Sequence, residues 1–379
     1  MSFKRVFAAM SGGVDSAAAA LLLRRAGYDV TGVTLRLHAY KDRPGLCGSA
    51  DDIETAKAVS AAMGIPHQVL DLSGLFRTAV MDRFVEEYVH GRTPNPCIDC
   101  NREIKFGALL DWALEQGADA IATGHYARVR YDEERGRWLL LRGRDRRKDQ
   151  SYVLYQLTQH QLSHLLLPVG DYEKPDIRAL AAEAGLENAE KADSQDICFV
   201  PDGDYVDFLQ RYGGVTPVPG DFVDQEGHVL GRHRGLECYT TGQRKGLGVS
   251  ADAPLYVVRK DLDAGTVVLG PDSALYTDTL TAERVNLISL PALTGPIQVT
   301  AKTRYSQKEA EATVEPLEGG RVRVTFAQPQ RAVTAGQAVV FYDGEAVVGG
   351  GTMRTVSNQK GAASAAPVRH YRSLMIQLS

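Results

Sequence analysis

Along the N-terminal part of the chain, short strand-like runs alternate with longer runs whose apolar positions recur at helical spacing. Residues 6–10, 30–37, 67–72 and 118–125 are of the first kind and read as strands, 6–10 and 118–125 as buried ones. Residues 17–26, 51–63, 104–114, 159–167 and 175–184 are of the second kind and read as helices. Strands spaced by helices imply right-handed crossovers and a parallel sheet, so the chain opens as an α/β domain. Ligands of such sheets sit at the carboxyl ends of the strands. Residues 127–131 and 138–142, separated by Asp132-Glu133-Glu134-Arg135-Gly136, predict a hairpin.

From Asp202 the texture changes. One short helix at 205–212 is followed by sequence dominated by Gly, Pro, Val and Thr, with brief alternating runs at 255–259, 266–269, 297–300, 322–326 and 338–342. Short strands with frequent turns predict all-β structure. The chain divides into an α/β domain at 1–205, a small, mainly β central domain at 206–278, a β-barrel at 279–356 and a tail at 357–379 that reads as a disordered extension.

Composition changes this picture little. The 379 residues are 44% hydrophobic and 24% charged, as in ordinary globular proteins. No apolar run reaches the roughly 18 residues of a membrane span, and no signal-peptide pattern precedes the first strand, so a cytoplasmic protein without membrane contact is expected. A net charge of −4 argues against a generally basic surface. Local charge is another matter: Arg135, Arg137, Arg142, Arg144, Arg146, Arg147 and Lys148 form the densest basic patch, a solvated face or an RNA track. The five cysteines, an odd number, favour catalysis or metal binding over a disulfide framework.

The first strand and first helix meet at Ser11-Gly12-Gly13-Val14-Asp15-Ser16. Glycines let the backbone approach a ligand, and the helix start offers unpartnered N–H groups to an anion. Asp15 would repel phosphates unless it held magnesium, so a magnesium nucleotide is the simplest ligand. The lysine of the hydrolytic P-loop is missing. Asp51, Asp52 and Glu54 read as a helix-start signal. Gly124, at a strand end, would let the backbone approach the nucleotide, and the neighbouring His125 reads as packed more readily than catalytic. Pro94 and Pro96 forbid a helix before Cys97 and leave Cys100 near a helix start, where a thiolate is favoured. Cys198, between Ile197 and Phe199, would alone read as a packed thiol. His38, Cys47 and Cys238 look incidental, and the Gly- and Pro-containing stretch 41–49 reads as a loop that could cover the site.

These motifs occur in one order with Thr93-Pro94-Asn95-Pro96, Ala122-Thr123-Gly124-His125, Lys148-Asp149-Gln150-Ser151-Tyr152, Thr241-Gly242-Gln243-Arg244-Lys245-Gly246-Leu247-Gly248 and Lys302-Thr303-Arg304-Tyr305. The set resembles the tRNA-specific 2-thiouridylases, and the loop resembles the PP-loop of the ATP pyrophosphatases. The resemblance implies a PP-loop (HUP-like) domain followed by a central domain and a β-barrel. It implies ATP at Ala9, Met10, Ser11, Gly12, Gly13, Val14, Asp15, Ser16, Leu35 and Gly124. It makes Cys100 the nucleophile and Cys198 the carrier of a persulfide, sets Asn95, Pro96 and Cys97 against the target base, and assigns tRNA contacts to Lys148, Asp149, Gln150, Arg304 and Tyr305. The implied reaction adenylates the C2 oxygen of the wobble uridine and replaces it by sulfur. The implied partners are tRNAs for lysine, glutamate and glutamine, and a sulfur donor such as a cysteine desulfurase, a relay protein or free sulfide.

The sequence departs from the family pattern at Cys97, where an aspartate is common. Cys97, Cys100 and Cys198 then admit three readings: ligands of a [4Fe-4S] cluster with one open iron that could deliver hydrosulfide, persulfide chemistry with Cys97 as a bystander, or structural zinc. Asp99 lies one residue from Cys100 and is a candidate for the missing acid-base task. Two rival functions stand beside this one: a PP-loop synthetase acting on a small molecule, and a non-catalytic RNA-binding or redox-sensing protein.

Overall fold

The computed structural model describes residues 4–38, 49–191, 197–200 and 202–356. Cys47 with most of the stretch 41–49, and the tail at 357–379, lie outside the described residues. The parallel sheet is built from β1 (Arg5–Ala9), β2 (Asp29–Arg36), β3 (His67–Asp71), β4 (Ala120–Ala122) and, later in the chain, Leu165–Leu166, in the order β3-β2-β1-β4 and then Leu165–Leu166. Val6, Phe7 and Ala8 are enclosed on both faces, which is why the run is apolar throughout. The strand order reverses between β1 and β4, placing a ligand crevice at their carboxyl ends.

Two sequence expectations change here. The helix expected over 159–167 stops at Ser163, and Leu165 and Leu166 pair with Ile121 and Ala122 as the sheet's edge. A short leucine run carries no periodicity to separate strand from helix. The helix expected from residue 104 begins at Pro96, because a proline in the first turn loses no hydrogen bond. It continues through a π-helical stretch, Cys100–Ala108, into Leu109–Glu115.

The hairpin β5 (Ala127–Asp132) and β6 (Arg137–Arg142) follows β4 but does not extend the parallel sheet. Taking Leu165–Leu166 as β7, the central domain holds β8 (Gly220–Val223), β9 (Val229–His233), β10 (Tyr256–Asp261) and β11 (Thr266–Gly270) in the order β10-β11-β8-β9, around Phe222, Tyr239, Val257 and Leu269. The C-terminal strands are β12 (Tyr276–Leu287), β13 (Ile297–Lys302), β14 (Ala310–Leu317), β15 (Arg321–Arg331), β16 (Ala338–Asp343) and β17 (Ala346–Val356). They run β12-β15-β14-β13-β16-β17, and β12 pairs again with β17 to close an antiparallel barrel. The hairpin joins this barrel through Leu141 opposite Ala346.

One apolar core therefore crosses from the α/β domain into the barrel. Leu140, Tyr152 and Tyr155 pack with Ile288, Val340, Tyr342 and Val347 in a single cluster. Buried polar groups are paired across the same seam: the Tyr152 hydroxyl donates to Ala338 O at 2.8 Å, and Asn286 Nδ2 to Tyr155 O at 2.7 Å. Arg142, buried, pairs with Glu309 and lies 3.8 Å from the Tyr342 ring centre.

His38 and His125 are buried, and desolvation holds both below the usual histidine range, His38 at about 4. Their folded pKa values lie below the unfolded one, so stability is complete above pH ~6.5 and is lost as pH falls, when only the unfolded chain takes up the protons. Melting temperature should drop between pH 7 and pH 5, with His38 contributing about 1 to 2 kcal/mol by pH 5. A His38→Gln variant should show a shallower drop in the same scan; an identical drop would remove His38 from the effect.

Candidate functional site

The loop between β1 and the helix Val14–Arg25 is folded by its own hydroxyls. Ser16 Oγ donates to Gly13 O at 2.9 Å and accepts from Ser11 N at 3.1 Å. Gly13 is the N-cap and supplies no side-chain cap, so the first-turn N–H groups have no side-chain acceptor from that residue. Gly12 has φ +71°, and a Cβ there would stand 2.8 Å from Asp52 O. Gly124 has a different constraint from the one its position suggests. A Cβ on it would lie 2.6 Å from Asp15 C and Ser16 N, so its bareness lets the end of β4 abut the loop.

Asp15 is held by groups from elsewhere in the fold. Its carboxylate accepts from Lys174 Nζ at 2.7 Å on both oxygens and from the Tyr126 hydroxyl at 2.8 Å. Lys174 thus places a counter-charge beside the loop. On the other side of the loop, Asn188 Nδ2 donates to Gly12 O at 3.2 Å, and Lys191 Nζ bonds Asp52 Oδ1 at 2.8 Å. None of these four helpers was legible by motif. Lys174 alone left a trace, as a cation in a helix's first turn, where the dipole favours acids. Ala9, Met10 and Val14 line the same turn, with Met10 and Val14 buried, and Leu35 is buried on β2.

The thiols lie on a second set of elements. Asn95 caps the helix by accepting from Cys97 N at 3.2 Å. This leaves Cys97 exposed in the first turn and Cys100 buried one turn later. It is Cys97, not Cys100, that stands in the first turn. Cys100 belongs to the apolar cluster that holds Phe76, Phe84 and Phe199, and Ile197 and Cys198 pack against that cluster. His38 closes its edge, 5.0 Å from the Phe76 ring centre. Cys97, Cys100, Cys198 and Cys238 are all thiols. Among the described residues no group of three or more His, Cys, Asp or Glu side chains is arranged to hold a metal ion. Of the three thiols of interest, Cys97 is on the surface, Cys100 is in the core and Cys198 is partly buried.

Asp99, between Cys97 and Cys100, is engaged in ion pairs. It is held by Arg83 at 3.2 Å and Arg102 at 3.3 Å beside a cavity of about 20 Å³, room for one water, that Glu87, Asn95 and Arg284 also line. Burial outweighs the two arginines and raises its pKa above the usual carboxylate range. His125 is packed as well, with Nδ1 2.7 Å from Thr123 Oγ1.

The expected tRNA-facing residues are divided in role. Asp149 is buried and accepts from Gly143 N, Ser151 N and Ser151 Oγ, shaping its loop. Gln150 pairs with the backbone of Tyr126 in both directions. Lys148 is half-buried on the same loop. Much of the basic patch is tied down: Arg142 to Glu309, Arg146 and Arg128 to Glu345. Arg304 donates through Nη2 to Thr241 O, Ala332 O and Thr334 Oγ1, joining central domain to barrel. Tyr305 is 43% exposed. Burial and then the charges of Asp149 and Cys97 raise its pKa, so barrel, loop and thiol helix meet at this ring. Gln337, which no motif marked, donates to Thr93 O at 2.8 Å and clamps the approach to Cys97 onto the barrel.

Three family models cover this architecture: a tRNA methyl transferase HUP domain over residues 4–202, a tRNA methyl transferase PRC-barrel domain over 206–271 and an aminomethyltransferase beta-barrel domain over 277–353. Among curated relatives, the tRNA-specific 2-thiouridylase MnmA of Acetivibrio thermocellus is 49% identical over 93% of this chain and 100% of its own length. Those of Heliobacterium modesticaldum and Moorella thermoacetica are 52% and 51% identical, each over 92% of this chain and over 92% and 99% of their own lengths. At such identity over nearly the whole of both chains, the protein belongs to the tRNA-specific 2-thiouridylase family.

Proposed function

We propose that this chain replaces the C2 oxygen of the wobble uridine of tRNA by sulfur, using ATP and working through two thiols. The observation that carries the reading is that Cys100 and Cys198, remote in sequence, pack on one apolar cluster, with Cys97 and Tyr305 on its solvent side. A small-molecule synthetase has no use for that pair, nor for a barrel pressed onto the approach to Cys97.

A uracil C2 carbonyl is a poor electrophile. Its oxygen attacks the α-phosphorus of ATP, and pyrophosphate leaves with the bonding electron pair. The uncapped helix start at Gly13 is suited to the phosphates, and Lys174 offsets the adjacent carboxylate. A persulfide on Cys198 then attacks C2 through its outer sulfur, and AMP departs. The Cys100 thiolate attacks Cys198 Sγ, which frees the thiolated base and leaves a Cys100–Cys198 disulfide that an external dithiol reduces before the next turnover. The target base leaves its stack to reach the site, and Tyr305 offers a face for it. The sulfur donor is a persulfide carrier of the desulfurase or relay class. Magnesium would enter with ATP and offset the charge on its phosphates, with Asp15 the loop carboxylate that could face it. No step runs through a cluster.

Cys100→Ser and Cys198→Ser should each abolish 2-thiouridine, measured by nucleoside mass spectrometry, while tRNA-dependent release of AMP or pyrophosphate survives. Wild-type thiolation by either variant would contradict the assignment. Cys97→Ser should retain most of the activity with a persulfide donor; loss of both activity and bound iron would make Cys97 a cluster ligand instead. Gly124→Ala should cost about 1 to 3 kcal/mol of stability by overpacking the loop and should weaken ATP binding in a calorimetric titration. Unchanged ATP affinity would separate Gly124 from the nucleotide site.

A further inference from the structure

Tyr126 and Lys174 each touch two places at once. The Tyr126 hydroxyl donates to Asp15 Oδ1 at 2.8 Å, while its backbone N donates to Gln150 Oε1 and its carbonyl accepts from Gln150 N, both at 2.9 Å. Lys174 grips Asp15 through Nζ at 2.7 Å, while its backbone N donates to Asp145 Oδ2 at 3.1 Å. The other oxygen of Asp145 accepts from Arg147 N and Lys148 N, which fixes the start of the loop 145–150. Both bridging side chains are buried, and they lie against each other, with Nζ 5.8 Å from the ring centre. Neither end has slack: a Cβ on Gly143 would sit 2.6 Å from Tyr126 O, and one on Gly124 the same distance from Asp15 C.

We propose that Tyr126 and Lys174 are positioning residues that couple the nucleotide loop to the loop 145–150, so that tRNA engaged by Lys148 and Gln150 tightens ATP binding at Asp15 and ATP tightens tRNA binding. The inference rests on the function proposed above and on its assignment of these two loops. Asp15 lies in the first turn of the phosphate-binding helix, so an arriving triphosphate changes the field at Lys174 Nζ and Tyr126 Oη. Any preference of the bridge for the liganded arrangement of one loop is a preference at the other, because the same two residues complete both. Binding linkage makes the effect reciprocal. For the reaction, the consequence is order: adenylation is favoured when the uridine is present, and ATP bound without tRNA is held more weakly.

The test uses the full chain, α,β-methylene-ATP with magnesium, and an unmodified tRNA transcript. Wild-type protein should bind the analogue about fivefold or more tighter with tRNA than without, and bind tRNA tighter by the same factor with the analogue. Tyr126→Phe keeps the ring and removes the hydroxyl that links it to Asp15, and its ratio should fall to about one. Lys174→Arg, which keeps the charge but changes the reach, should lower the ratio too, and it serves if Tyr126→Phe melts early. A merely structural role would lower stability without changing the ratio. A wild-type ratio of one, or a wild-type ratio retained in both variants, overturns the coupling while leaving the function standing. Protein that binds neither ligand overturns the function and the bridge with it.

Discussion

A carboxylate stands in the first turn of a helix that the fold offers to phosphates, and the rest of the site is built around holding it. Asp15 is tolerable there because Lys174 and Tyr126 engage it from a neighbouring helix and from the segment after β4. The abutting strand end must then carry Gly124, since any side chain would strike the loop. A hydrolytic P-loop places its lysine within the loop. Here the lysine arrives from some 160 residues away along the chain, which ties the Ser11–Ser16 loop to the packing of the whole α/β domain.

A second constraint is the annexation of the β5–β6 hairpin by the barrel. It converts much of a basic hairpin into a docking surface, with Arg142, Arg146 and Arg128 paired to Glu309 and Glu345. It also brings the barrel to the thiol helix, because Gln337 clamps the turn that leads into Cys97. Arg304 locks central domain and barrel together beneath Tyr305, so the exposed ring, not the guanidinium, is the element of that pair facing the thiol helix.

Much of this was legible in the sequence, for physical reasons. Buried parallel strands are apolar runs, and the phosphate loop has a local signature of glycines and hydroxyls. The parallel sheet, the β-rich second half and the Ser11–Ser16 loop followed from those. What stayed hidden depends on contacts between distant residues. Lys174, Asn188 and Gln337 belong to no local pattern, and Leu165–Leu166 is too short to show a period. Sequence does not show exposure either; the helix puts Cys97 outside and Cys100 inside. Nor does charge alone show that Asp149, Arg304 and several arginines of the hairpin have partners within the fold.

The central claim is that two thiols, without iron, carry sulfur to an adenylated uridine. The most direct measurement is nucleoside mass spectrometry on an unmodified tRNA transcript incubated with ATP, magnesium, a persulfide donor and protein verified to contain no iron. Stoichiometric or catalytic 2-thiouridine at the wobble position, absent when ATP is omitted, is the predicted result. Thiouridine that appears only after the protein has been loaded anaerobically with iron and sulfide would contradict it.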